Sequence, residues 1–355
     1  MATVGAHTGK RVLLIGPGFI GWNVLELLVK DQYNVTAFTR SKEHGAKLTA
    51  TGAKNVVLGD LDDKKLISDE VTKHDIVLHI ASADHAASAE AVLDGVQRRA
   101  DKGQSTIYIH TSGTSVIGDA EARGKKSSKV YHDSKAEEIN SLPDNAPHRQ
   151  IDLGILGVQK KLGAKAKIAI VMPPLIYGYN DKHGRLSIQI PTLTRFALKH
   201  GFAGYVGEGD SVWSQIHVKD LARGYRMILH QLESTPADSP ELLENPYYFC
   251  ECTGEYEVSW KEIAALIGRT LHEQGKISDP APRQIDPKLY GDIFGPDFTE
   301  AVMGLNSRSR AERLRGLGWK PVEKSWQHSF VQDELPEILK EDISKFAGYG
   351  AAVAS

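Results

Sequence analysis

Tyr131 and Lys135 stand four residues apart in Val130-Tyr-His-Asp-Ser-Lys135, the spacing that puts two side chains on one face of a helix. A lysine beside a tyrosine lowers the hydroxyl pKa, so such a pair can exchange a proton with a substrate oxygen. The same stretch has a purely structural reading. Ser134-Lys-Ala-Glu137 is a capping box that would open a short helix, AEEINSL, inside a long loop.

A second constellation is Gly16-Pro17-Gly18-Phe19-Ile20-Gly21, which follows an apolar β-branched run directly and leads into a helical pattern. In that strand–turn–helix setting the glycines point to a dinucleotide. Gly16 permits the tight turn, Gly18 lets the backbone approach a pyrophosphate, and Gly21 lets helix and strand pack closely. The helix start offers unpaired N–H groups and a positive dipole end to the phosphates. At the end of the next apolar run, Phe38-Thr39-Arg40-Ser41-Lys42 holds no acid to receive a ribose 2′-hydroxyl. Arg40 can instead clamp a 2′-phosphate with help from Ser41 and Lys42, which favours NADP over NAD. Asp60, in Gly59-Asp60-Leu61-Asp62, is placed to take an adenine amino group or to cap the following helix. GAHTGK at 5–10 is not a phosphate loop, because its spacing is wrong and a strand follows it.

These residues need elements to hold them. RVLLIG, NVTAFT, NVVLG, DIVLHIA, STIYIHTS and KIAIVMPP are near-continuously apolar, as strands covered on both faces are. Helical patterns alternate with them, which predicts a doubly wound parallel α/β fold. Further helices are expected over SIQIPTLTRFALKHG, over VKDLARGYRMILHQLE with Asp220 as N-cap, and over SWKEIAALIGRTLHEQG with a Ser259/Glu262 capping box. SRAERLRGLGW reads as a short basic helix, and a last helix from about 333 precedes a frayed AGYGAAVAS tail.

Composition narrows the function classes. The 355 residues carry a formal charge of −2, so no basic field gathers nucleic acid or acidic lipid. No apolar run is long enough to span a membrane, and the first residues lack the apolar core of a secretory signal. Two cysteines, Cys250 and Cys252, are too few for a structural zinc, and the fourteen histidines show no metal-binding spacing. A cytoplasmic protein without a metal is expected.

GPGFIG (16–21), GDLDD (59–63), IASADH (80–85), HTSGTSVIGD (110–119), PPLIYG (173–178) and HVKDLA (217–222) come in an order and spacing that resemble the extended and atypical short-chain dehydrogenase/reductase family, which includes epimerases and dihydroflavonol-type reductases. Ile15 departs from it, standing where the family usually has a glycine. The resemblance implies a Rossmann domain over 1–178, with 217–232 packing back on it. A smaller substrate lobe over 179–216 and 233–332 and a C-terminal helix and tail over 333–355 would follow. Gly16, Phe19, Ile20, Arg40, Asp60 and Leu61 match its dinucleotide positions. Ala81 and Ser82 would line the nicotinamide, and the backbone around Pro174 and Ile176 would hold the carboxamide. Family relatives often pair through two helices, so a homodimer is possible.

In that family a serine positions the reacting oxygen and a Tyr-x-x-x-Lys helix moves the proton. Ser112 is the matching serine. The tyrosine and lysine positions, counted back from Pro173, fall instead on His148 and Asp152. Tyr131 and Lys135 lie too far upstream, with Pro143 and Pro147 between. Tyr131 with Lys135, or His148, is therefore the proton-donor candidate. Tyr177, Arg185 and Trp213 occupy places where family substrates bind, and Trp213 suggests an apolar or aromatic one. The expected function is an NADP-dependent oxidoreductase reducing a carbonyl or activated double bond of such a small metabolite. The alternatives are a redox-neutral epimerase, dehydratase or isomerase with bound cofactor, and a non-catalytic dinucleotide sensor.

Overall fold

The computed structural model describes residues 9–252 and 257–349. Most of GAHTGK and the end of the tail, 350–355, lie outside them.

Strands β1 (Arg11–Ile15), β2 (Asn34–Thr39), β3 (Asn55–Leu58), β4 (Ile76–His79) and β5 (Thr106–Thr111) alternate with helices α1 (Phe19–Lys30), α2 (Lys42–Thr51), α3 (Lys64–Val71) and α4 (Ala86–Asp101). After a long excursion come β6 (Tyr131–His132), α5 (Ala136–Asn140), α6 (Arg149–Leu162) and β7 (Ala166–Met172). The central sheet is parallel, in the order Tyr247–Phe249, β7, β5, β4, β1, β2, β3. The order reverses between β1 and β4, and at such a switch point the strand ends splay into a ligand crevice. Val12, Leu13, Leu14 and Ile15 have no exposed surface, which is why the strands read as unbroken apolar runs.

Two apolar cores form. The first joins the sheet to α1, α4 and α8 (Val218–Ser234, following α7, Gln189–His200). Residues 242–250 and 311–319, from the range expected to form the lobe, contribute to this first core. The second core gathers Tyr177, α7, Trp213, Trp260–Leu271, Ile293 and the helical run ending at Ile338.

Local signals were met unevenly. Ser259 and Glu262 form their reciprocal capping box. Helix α8 is capped by His217, whose ring accepts from Lys219 N, rather than by Asp220. Asp220 is buried and receives the backbone N–H groups of Val322 and Glu323, tying in a distant segment. The last helical run starts at Trp326 rather than near 333 and contains a π turn over Phe330–Glu334.

Candidate active site

The loop after β1 turns on Gly16 at φ 89°, and a Cβ there would lie 2.3 Å from the backbone of Ala81. Gly21 packs so tightly that its Cβ would lie 2.2 Å from Gly16 O. Gly18 differs from both, because a Cβ there would meet only the Arg185 guanidinium, at 3.1 Å. The first two glycines set the turn and the helix packing, and Gly18, without a side chain, leaves the loop backbone open on the side that faces Arg185.

A cleft of about 850 Å³ opens in front of this loop at the switch point. Gly16, Gly18, Arg40, Asp60, Leu61, Ala81 and Ser82 line it, as does Arg185. Phe19, Ile20, Pro174 and Ile176 do not reach its wall among the described residues. Ser41 lines the cleft, but its hydroxyl caps α2 by accepting from His44 N at 3.1 Å. Asp60 accepts from Asp62 N at 3.1 Å in a local turn and does not cap α3.

The opposite wall is apolar and comes from the second core and the C-terminal segment. It presents Ile188, Phe294, Phe298, Val302 and Tyr349. At the loop end the two sides meet in a polar knot. Asn180 donates to Asn23 at 2.9 Å, and His183 and His44 both pack on Trp22 with centroids 5.3 Å apart. Burial, with the charges of Arg185 and His44, brings the His183 ring down to about 4. His44 is also held below its ordinary value, mainly by burial, while its Nε2 contacts Pro17 O at 2.9 Å. With the His183 ring neutral, the Arg185 guanidinium carries positive charge beside Gly18.

A second polar group lies at the ends of β4 and β5. Ser112 Oγ donates to Asp152 Oδ2 at 2.9 Å, and Asp152 has no exposed surface. Burial pushes this carboxyl up to about 7 against the opposing pull of the Ser112 bond and the nearby His148 and Arg149 charges. His148, one turn earlier on the same helix face, holds Asp84 Oδ1 at 2.6 Å through Nδ1 and Ser115 Oγ at 2.5 Å through Nε2. Its backbone is left-handed, φ 64°. Counting back from Pro173 thus located a real side-chain cluster. Asp84 and Ser115 were missed, though both stand inside the quoted segments IASADH and HTSGTSVIGD.

Tyr131 and Lys135 are not brought together on a helix face. Residues 131–132 pair in parallel with Ser309–Arg310, which draws the segment into a ribbon before any helix can start. Tyr131 is buried beside Lys129, whose ammonium lies 4.9 Å from the ring, and Lys135 pairs with Glu138 at 3.1 Å. The Ser134/Glu137 box does not form either: Ser134 donates to Glu312, and α5 starts from Lys135 without a side-chain cap. Asp133 anchors the ribbon, fully buried and accepting from Phe249 N and Arg313 N.

Tyr177 and Trp213 also leave the list of ligand contacts. Tyr177 donates to Lys324 O at 2.9 Å inside the second core, and Trp213 donates to Leu305 O at 2.7 Å and packs on Trp260. Both are aromatic residues whose polar atom is satisfied internally, the usual condition for burying one.

Next to Tyr177, Gly178 is held at φ 105°, with its N–H donating to fully buried Glu334 at 3.0 Å. Burial pushes the Glu334 carboxyl up to about 7 from 4.5. The folded state thus holds the proton more tightly than the unfolded chain. That stabilisation is complete below about pH 4.5 and is lost as pH rises toward 7. Glu334→Gln should remove this fall, worth roughly 3 kcal/mol, from urea unfolding measured across the window. An unchanged pH slope in the variant would mean that Glu334 does not titrate in this way.

The fold and cleft are those of a nucleotide-binding α/β protein, and comparison says which. Residues 12–239 match the model of the NAD dependent epimerase/dehydratase family. The chain belongs to that family. Its relatives include the oxidase ucsJ of Acremonium sp, 30% identical over 95% of this chain and 98% of that protein. They also include the decarboxylating sterol-4-alpha-carboxylate 3-dehydrogenase of Dictyostelium discoideum, 24% identical over 62% of this chain and 68% of that one. Among solved structures, the Bacillus cereus UDP-glucuronic acid 4-epimerase in complex with UDP-glucuronic acid and NAD superposes with TM-score 0.63 at 14% identity, covering 93% of this chain and 99% of that one. The family binds an NAD(P) cofactor, and this chain has oxidase and dehydrogenase relatives within it. No helix among the described residues is long and apolar enough to cross a membrane.

Proposed function

We propose that the protein is an NADP-dependent oxidoreductase that reduces a carbonyl or activated double bond of a small, apolar or aromatic substrate. The observation that carries the reading is Arg40 on the cleft wall at the end of β2, where the segment Phe38–Lys42 offers no Asp or Glu to take a 2′-hydroxyl. The residues present fit a dinucleotide. The space over Gly18 that a Cβ would fill is the room a pyrophosphate needs, and Arg185 faces it. The N-terminal turn of α1 and Arg185 would hold the phosphates, Arg40 the 2′-phosphate, and Asp60 and Leu61 the adenine end. Ala81 and Ser82 would flank the nicotinamide. When bound, the cofactor supplies or accepts a hydride. Phe294, Phe298 and Val302 give the facing wall an apolar lining, which favours an apolar substrate.

Titration with NADPH and NADH, followed by bound-nicotinamide fluorescence, tests the first half. NADPH is expected to bind about tenfold tighter or better, a difference of about 1.4 kcal/mol. Equal affinity, or a preference for NADH, would remove the Arg40 argument. A panel of aromatic aldehydes and ketones tests the second half through NADPH consumption. Tyr131→Phe should leave that turnover unchanged, because the ring is buried in the 131–132 ribbon, held by its pairing with Ser309–Arg310. A large loss in this variant would return Tyr131 to the chemistry.

A further inference from the structure

Three side chains from three elements meet at the start of α6, and none is needed for holding a dinucleotide. Asp84 comes from the cleft-lining loop after β4, Ser115 from the 3-10 turn after β5, and His148 from the residue before α6. Some loss of hydration alone would raise the Asp84 carboxyl, but the hydrogen bond and charge of His148 outweigh it and hold Asp84 below its ordinary value. A carboxylate only accepts, so Nδ1 carries a proton in either charge state of the ring. Nε2 is then the nitrogen left to gain or lose one, and its neighbour at 2.5 Å is Ser115 Oγ, a hydroxyl that can accept and donate at once.

The surroundings keep this ring usable. Gly113 leaves space beside it, since a Cβ there would lie 3.0 Å from His148 Nε2. Asp152, the other carboxyl on this helix face, is buried and pushed up to about 7, and it is engaged by Ser112 instead of the ring. Arg149 is turned away into the protein, toward Tyr247 and Asn140. His110, which feels the His148 charge, is fully buried and held well below its ordinary value, first by burial and then by His79 and His148. His148 has a left-handed backbone, uncommon outside glycine but favoured by asparagine, aspartate and histidine over other side chains, and its ring is held between Asp84 and Ser115.

We propose that Asp84, His148 and Ser115 form the proton relay of this site, with Ser115 Oγ handing the proton to the substrate oxygen. The proposal rests on the reductase reading above. The substrate oxygen, negative once its carbon is reduced, takes the Ser115 hydroxyl proton. Ser115 recovers a proton from His148 Nε2, so one O–H bond forms on the substrate and one N–H bond breaks on the ring. After the product leaves, solvent returns a proton to Nε2 by the same route, through the Ser115 hydroxyl. Asp84 is a positioning residue that keeps the Nδ1–H tautomer. Oxidation of an alcohol runs the same chain backward.

The first test needs no turnover. In the full-length protein labelled with 15N-histidine, the His148 ring, assigned by its loss in His148→Asn, should carry its proton on Nδ1 at neutral pH. Asp84→Asn should remove that preference, and saturating NADP⁺ should shift the Nε2 signal. An unprotonated Nδ1 in the wild type, or a ring indifferent to NADP⁺, would overturn the relay. The second test uses a carbonyl that the wild type reduces. His148→Asn, chosen because asparagine tolerates the left-handed backbone, and Ser115→Ala should each lose about 10²-fold or more in turnover while NADPH affinity is kept. A His148→Asn protein that binds NADPH and turns over normally overturns the relay and leaves the reductase standing. A wild type that consumes NADPH on no carbonyl counts against the reductase reading, while the ring spectrum judges the relay by itself.

Discussion

Gly16→Ala is expected to abolish nicotinamide binding and to destabilise the fold by about 3 kcal/mol or more. Two costs add at this position. The φ of 89° lies in the left-handed region, where an L side chain costs roughly 1–2 kcal/mol. The new methyl would also sit 2.3 Å from Ala81 N and Cα, a backbone contact with no flexible side chain to yield. The segment cannot simply step aside, because the preceding residue, Ile80, donates to Ile15 O at 2.8 Å and so belongs to the sheet edge itself. Overpacking of this kind typically adds about 1–3 kcal/mol. Relief requires the β1–α1 turn to move away from the β4 end, which displaces the N–H groups aimed at the phosphates. Urea unfolding and NADPH fluorescence titration check the two parts. A variant with wild-type stability and affinity would mean that the turn is not held as described.

Arg40→Ala should lower NADPH affinity by about ten- to a hundredfold and leave NADH affinity unchanged. Hydrogen bonds between a guanidinium and a phosphate are worth about 1.5–3 kcal/mol because both partners are charged. Nothing else at the end of β2 can replace them fully. Ser41 spends its hydroxyl on the α2 cap, and Lys42 is exposed in the first turn of that helix. The two cofactors differ only in the 2′-phosphate, so the difference between the two titrations isolates Arg40 from any general damage. Raising the salt should narrow the gap in the wild type and leave the variant unaffected. An equal loss for both cofactors would show that Arg40 supports the loop without reading the phosphate.

Much of the cofactor half of this protein was legible in one dimension. Apolar runs of the right length gave away the buried parallel strands, since a strand covered on both faces has no polar alternation to hide it. Gly16 and Gly21 were readable because their demands are local: a left-handed turn, and a helix leaving a strand at close range. The Ser259/Glu262 box formed because a capping box asks nothing of residues outside its own four. The nearly identical Ser134/Glu137 pattern failed because Ser309–Arg310, far along the chain, claimed the preceding residues as a strand partner.

The amino-acid order alone therefore determined the doubly wound sheet, the glycine loop at its switch point and the arginine at the end of β2, all consequences of short-range periodicity and turn chemistry. Tertiary structure alone decided which polar residues face one another. Tyr131 and Lys135 have the textual spacing of a working pair, yet a sheet contact pulls them apart and buries the tyrosine. Tyr177 and Trp213 look like ligand contacts until packing turns them into the second core, with their polar atoms satisfied by distant carbonyls. Asp84, Ser115 and His148 share no motif, and a separation of 64 positions between the first and last is closed to a 2.6 Å contact only because β4 and β5 end, and α6 begins, on the same edge of the sheet. Hydrogen bonds are short and directional, so a chain position can propose a donor or an acceptor, but only the packed strands and helices bring the two within reach.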